Sequence, residues 1–78
     1  MSSSLHSDRY EQFRLLLIEK RKSASLTQAM VAGRLQKPQS FVSKYEKGER
    51  RIDLIEFLDI AEAIGFDPVA FLAILPSR

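Results

Sequence analysis

The stretch from Thr27 to Gly48, TQAMVAGRLQKPQSFVSKYEKG, constrains the fold more than any other part of the chain. It holds two short helical patterns separated by a few residues. On a helical period counted from Pro38, the residues Pro38, Phe41, Val42 and Tyr45 share one arc, and Gln39, Ser40, Ser43 and Lys44 share the opposite one. The first arc is apolar enough to anchor in a core. The second carries amide, hydroxyl and ammonium groups and no carboxylate. Such groups donate hydrogen bonds, and the amide also accepts them. That is the chemistry a helix needs to meet base edges and phosphates in a major groove.

At 78 residues the chain makes one small domain with a modest core, which oligomerisation would reinforce. Cysteine is absent, which excludes a disulfide framework, a thiolate nucleophile and a zinc-finger cluster, and suits a reducing, cytoplasmic setting. The opening MSSSLHSDRY has no basic segment followed by an apolar run, so no signal peptide is read there. No apolar stretch approaches the span of a bilayer, and no membrane partner is expected. The net charge of +2 is unevenly placed. Residues 1–52 hold 11 Lys/Arg against 5 Asp/Glu, or +6; residues 53–78 hold one Arg against 5 Asp/Glu, or −4. A basic part joined to an acidic one suggests one side facing a polyanion, the alternative being solvated charge with no partner.

In chain order, residues 1–7 are Ser-rich and aperiodic and read as a tail containing the single histidine, His6. Ser7 reads as an N-cap for a first helix over Asp8–Lys22. On that helix Tyr10, Phe13, Leu17 and Arg21 share a stripe, and an arginine on an apolar stripe needs a partner. Leu15, Leu16 and Ile18 lie off it, under the C-terminal helix or at a subunit contact. Thr27 caps a second helix over Gln28–Leu35, with Val31, Ala32 and Leu35 facing inward. Gly33 within it costs about 1 kcal/mol against alanine and marks close packing, a backbone approach or neutral drift. Pro38 is expected at the first position of a third helix ending near Glu46, with Gly48 free to take a left-handed cap. Asp53 and Glu56 form a capping-box pair for a fourth helix, whose Leu54, Phe57, Leu58, Ile60, Ala61 and Ile64 share a face. Gly65 closes it. Asp67-Pro68 opens a fifth helix through about Leu75, stopped by Pro76. That helix, VAFLAIL, is too apolar for a short edge element to bury alone, and it suggests a partner surface. The domain is expected over residues 8–76, with 77–78 as the C-terminal end.

With these elements placed, the chain resembles the phage-repressor and Cro-like helix-turn-helix family, the XRE-type regulators, over about residues 13–75. The resemblance is carried by Arg21, Leu26-Thr27-Gln28, Val31-Ala32, the run Pro38 to Gly48, and Ala61-Glu62-Ala63-Ile64-Gly65. It implies an all-α, compact five-helix domain of the lambda-repressor type, with helices 2 and 3 as the helix-turn-helix and helix 3 in the major groove of a site bound as a two-fold dimer. By position it implies that Gln39, Ser40, Ser43 and Lys44 face bases. Gln28 matches a phosphate contact that also touches the first base-reading residue, Gln39. Arg21 and Glu46 match a partly buried ion pair, which supplies the partner that the stripe on helix 1 requires. The chain departs from the family at Gln36, where glycine is usual, at Pro38, where a Ser/Thr cap is usual, and at Ile52, where proline is common.

The expected function is therefore sequence-specific binding of double-stranded DNA by a transcriptional regulator. Thr27, Gln28, Lys37, Lys47, Arg50 and Arg51 would supply backbone contacts, and Gln39 and Lys44 the base discrimination. Phe41 shares its arc with Tyr45 and reads as core, the alternative being an edge contact to a thymine methyl. A homodimer is expected through Val69, Phe71, Leu72, Ile74 and Leu75, with support from the end of helix 4. The alternative is an antitoxin-like or controller-like protein-interaction module on the same fold. No enzyme is expected: Asp53, Glu56, Asp59 and Glu62 read as a cap and a solvated face, and neither a metal nor another cofactor is indicated. With no sensor domain in the chain, no small-molecule effector is expected.

Overall fold

The computed structural model describes residues 8–75. They form five helices: α1 Asp8–Ser23, α2 Gln28–Leu35, α3 Gln39–Lys47, α4 Leu54–Ile64 and α5 Pro68–Ile74. No strand occurs among the described residues. The expected tail, the Ser7 cap, His6 and the Pro76 stop lie outside them.

Punctuation in the sequence sets the helix ends. Thr27 accepts from the Met30 amide at 3.1 Å and Asp53 from the Glu56 amide at 2.7 Å, while Glu56 returns a carboxylate to the Asp53 amide at 2.9 Å. Asp67 accepts from the Val69 amide at 2.9 Å, ahead of Pro68 in the first turn of α5. Gly48 and Gly65 end α3 and α4 with φ of +82° and +97°. Gln36 takes φ 58° in the α2–α3 turn, as its place there requires, although a side chain in that region costs about 1–2 kcal/mol. Ser25 does the same at φ 60° in the α1–α2 connection, which nothing in its sequence context announces.

Four boundaries differ from expectation. Pro38 is the N-cap of α3, not its first residue: its ψ of 154° is extended, its carbonyl accepts from the Phe41 amide at 2.9 Å, and its ring is exposed. A fixed proline φ suits both positions, so φ alone does not decide between them. α1 and α3 each continue one residue further than expected, to Ser23 and Lys47, and α5 stops at Ile74 with Leu75 as its extended cap.

The core gathers Leu17 from α1, Val31 and Ala32 from α2, Phe41, Val42 and Tyr45 from α3, Phe57, Ile60 and Ile64 from α4, and Phe71 from α5. Around Phe71, the rings of Phe66 and Phe57 lie 4.9 and 5.2 Å away, and that of Phe13 lies 5.7 Å away edge-on. Two residues assigned to the inner face of α4 are not in this core: Leu54 is 65 % exposed and Leu58 41 %. The buried stripe is 57-60-61-64. Leu58 lies one residue off it, and Leu54 is the first residue of α4. Leu16 packs on the core, whereas Leu15 is exposed beside a shallow groove that it shares with Ile74 and Leu75. No helix among the described residues is long and apolar enough to cross a membrane.

Candidate nucleic-acid interface

α3 is held from one side. Phe41, Val42, Tyr45 and Glu46 are buried, while Gln39, Ser40 and Lys44 are exposed and Ser43 is half-buried. The inner arc is thus filled by ring and branched carbons plus a carboxylate, and the outer arc presents amide, hydroxyl and ammonium groups. Phe41 belongs to the core, its ring 5.5 Å from that of Tyr45 and edge-on to it.

The buried carboxylate organises the amino ends of both helices. Glu46, only 4 % exposed, accepts from Arg21 Nε at 2.7 Å and Nη2 at 3.0 Å, and from the Gln28 amide nitrogen at 2.9 Å. Arg21 donates a further bond to the Leu26 carbonyl at 2.9 Å, which pins the loop before α2. The Gln28 carbonyl oxygen then meets the Gln39 amide nitrogen at 3.5 Å, at the long limit of a hydrogen bond. A polar chain therefore runs from α1 through the end of α3 and the start of α2 to the first exposed residue of α3. Its charge balance is visible in Arg21, whose guanidinium is pushed above its ordinary range chiefly by the bond to Glu46, against the opposing effect of burial. Burial also raises the Tyr45 phenol far above the usual range, with Glu46 adding to the shift and Arg21 opposing it.

Arg14 is a second tie that the sequence reading did not single out. It donates to the Glu46 carbonyl, one of the last on α3, and also pairs with Glu11. Arg14 and Arg21 stand two helical turns apart, so they share a face of α1; that spacing was the available signal.

The basic residues are less uniform than the sequence suggests. Lys37 and Lys47 are exposed, and the Lys37 ammonium lies 5.2 Å from the Phe41 ring centre. The Arg51 guanidinium stacks 4.1 Å from the Tyr10 ring centre on α1. Arg50 is a clamped cation, not an open one. Its two terminal nitrogens meet both carboxylate oxygens of Glu56 at 3.0 and 2.9 Å, and it lies 4.8 Å from the centre of the Phe41 ring. In sequence Glu56 reads as a cap and as part of a solvated face, and its pairing with Arg50 is invisible there because it requires the α3–α4 loop to fold back. Thr27 is exposed, with its hydroxyl accepting in the α2 cap.

On the far helices, Val69, Leu72 and Ile74 are exposed by 74, 46 and 58 %, and Leu75 is half-buried. Phe71, expected at an intermolecular contact, is instead 1 % exposed in the aromatic core, because it stands on the inner side of α5. Ile55, Leu54 and Leu58 on α4 are exposed apolar residues absent from the expected surface. Among the described residues no three His, Cys, Asp or Glu side chains cluster so as to hold a metal ion.

A family model described as helix-turn-helix (HTH_3) matches residues 17–71. A solved structure of an XRE-family like protein from Pseudomonas syringae pv. tomato str. DC3000 is similar at 50% identity, covering 90% of this chain and 85% of that one, with a TM-score of 0.85. The restriction-modification controller protein C.AhdI from Aeromonas hydrophila is similar at 28% identity, covering 83% of this chain and 99% of that one, with a TM-score of 0.73. A search of curated proteins gives no match.

Proposed function

The chain belongs to the XRE-type helix-turn-helix family of DNA-binding transcription regulators, and from that premise we propose that it binds a pseudo-palindromic operator as a homodimer with α3 in the major groove. The observation that carries this reading is the division of α3: Phe41, Val42, Tyr45 and Glu46 hold it inward, so that Gln39, Ser40 and Lys44 project together with no carboxylate between them.

Gln39 can pair bidentately with adenine, and Lys44 can donate to guanine. Gln39 enters that role already steadied by Gln28, which is in turn fixed by Glu46. Such support restricts the rotamers available before binding, so less order has to be imposed by DNA. Ser40 and Ser43 add adaptable hydroxyls. Backbone amides at the starts of α2 and α3, with Thr27, Gln28, Lys37, Lys47 and Arg51, supply sequence-independent phosphate contacts. Two copies related by a two-fold axis would place their α3 helices about 34 Å apart, one turn of duplex.

The similarity to a restriction-modification controller favours a controller-like regulator as a second reading within the same class, and a protein partner would add to it through a free apolar surface. The exposed apolar residues of α4 and α5 support it.

The direct test is selection of bound duplexes from a random pool. Enrichment of a two-fold-related sequence is expected, and Gln39→Ala or Lys44→Ala should relax preference at particular positions, each at about 1–3 kcal/mol. Retention of selected and random duplexes with equal affinity at every salt concentration would remove the operator reading.

A further inference from the structure

The Arg50–Glu56 pair lies in the basic segment beside α3. Arg50 stands two residues beyond Gly48, in the loop between α3 and α4. Its Nη1 reaches Glu56 Oε1 at 3.0 Å and the Arg51 carbonyl at 2.9 Å, and its Nη2 reaches Glu56 Oε2 at 2.9 Å. The same guanidinium covers the Phe41 ring at 4.8 Å. Glu56 is itself held, because its Oε1 also accepts from the Asp53 amide at 2.9 Å at the start of α4. Its side chain is 19 % exposed against 42 % for Arg50, so the fixed partner is the carboxylate and the accessible one is the cation. The Glu56 carboxyl is kept below the usual carboxylate range by Arg50 first and the Asp53 amide second, so it is ionised at neutral pH.

We propose that Glu56 acts as an electrostatic clamp, holding Arg50 against Phe41 and withholding its charge from DNA phosphates. This rests on the DNA-binding reading. Sequence-independent affinity grows with the number of phosphates that cations neutralise, each releasing counterions. A cation forked onto a fixed carboxylate is removed from that number until the fork opens. The clamp thus lowers affinity for DNA of any sequence and leaves the base-facing groups of α3 untouched. It also explains why a loop carrying Arg50-Arg51 has an acidic residue one turn into the following helix, aimed back at the first arginine.

Glu56→Gln tests this directly, because glutamine keeps the size and the capping-box acceptor but discards the charge. The full chain, E56Q, R50A and E56Q/R50A would be titrated with a random-sequence duplex over a salt series, with a thermal melt of each. For E56Q the slope of log Kobs against log salt should steepen by about one unit, with tighter binding at low salt. R50A alone should leave the wild-type slope unchanged, and E56Q/R50A should return to it. A slope in E56Q no steeper than wild type overturns the proposal. So does E56Q/R50A remaining as steep as E56Q, since the gain would then come from net charge alone. A shallower slope in R50A alone, a result independent of how E56Q folds, shows Arg50 already on phosphate and also overturns it. Failure of the unaltered chain to bind any duplex at low salt is a distinct result, which removes the DNA-binding reading and the clamp with it.

Discussion

Arg21 of α1 and Glu46 of α3 meet through two hydrogen bonds, at 2.7 and 3.0 Å, with side chains only 11 and 5 % exposed. The pair joins the first helix to the end of the helix that faces outward, and Gln28 shares the carboxylate. Removing one member of such a pair leaves an uncompensated buried charge, whereas removing both leaves only the neutral Gln28 amide and Leu26 carbonyl without these partners, at smaller cost. Glu46→Ala should therefore destabilise the domain by about 3–5 kcal/mol in urea unfolding, and Arg21→Met/Glu46→Met by distinctly less. Equal losses in the two variants would show that the pair is not acting as a buried unit.

Tyr45 lies beside that pair with its hydroxyl buried and without a hydrogen-bond partner among the described residues. Burial raises its phenol above the ordinary value. The sign follows from the direction. The unfolded chain loses the proton at about pH 10 while the folded chain keeps it, so this contribution is fully present below pH 10 and is lost as pH rises above it. Tyr45→Phe should leave stability at pH 7 unchanged or raise it by about 1 kcal/mol, since a buried unsatisfied group is removed. The same change should reduce the alkaline loss of stability seen by denaturant titration above about pH 10. An alkaline limb of identical steepness in both proteins would refute the assignment.

Two glycines separate conformational need from incidental use. An added Cβ at Gly33 in α2 meets nothing within 4 Å, so close packing does not account for that glycine. At Gly48 the backbone is left-handed at φ +82°, and a Cβ would lie 3.3 Å from Arg14 Cδ. Gly33→Ala should stabilise by about 1 kcal/mol, through helix propensity and a less free unfolded chain. Gly48→Ala should destabilise by about 1–2 kcal/mol, through left-handed strain. Thermal melts decide both. A lower melting temperature for Gly33→Ala would contradict the open surroundings of that residue.

What could be read from sequence followed from local rules. Period and caps located α2 and α4, and the arcs of α3 separated Phe41, Val42 and Tyr45 from Gln39, Ser40 and Lys44, because both depend on neighbours within one or two turns. Arg21 on an apolar stripe called for a partner, although only the resemblance suggested which one. The misses share a different cause. Glu56 reaching Arg50, Arg14 reaching the end of α3, and Leu54 and Leu58 falling outside the core all depend on how one helix is set against another, which local periodicity does not encode. Phe71 cannot be told from its exposed neighbours in sequence, because α5 is apolar all round and a helix without a polar face gives no indication of its inner side.

The exposed side of α5 yields the remaining prediction. Val69 and Leu72 are open to solvent, as is Leu54 on the neighbouring α4, whereas Phe71 between them in sequence fills the core. If the proposed homodimer uses this surface, a carboxylate at Leu72 would be desolvated at the contact but harmless in a lone subunit. Leu72→Glu should keep the helical spectrum and shift the sedimentation coefficient toward that of a monomer. Operator affinity should fall with it, because two half-sites would no longer be engaged together. Phe71→Ala should behave differently, losing about 3–5 kcal/mol of folding stability whatever the protein concentration. A wild-type chain that sediments as a monomer at micromolar concentration with operator present would eliminate the dimer. A Leu72→Glu chain that dimerises as well as wild type would place the contact elsewhere.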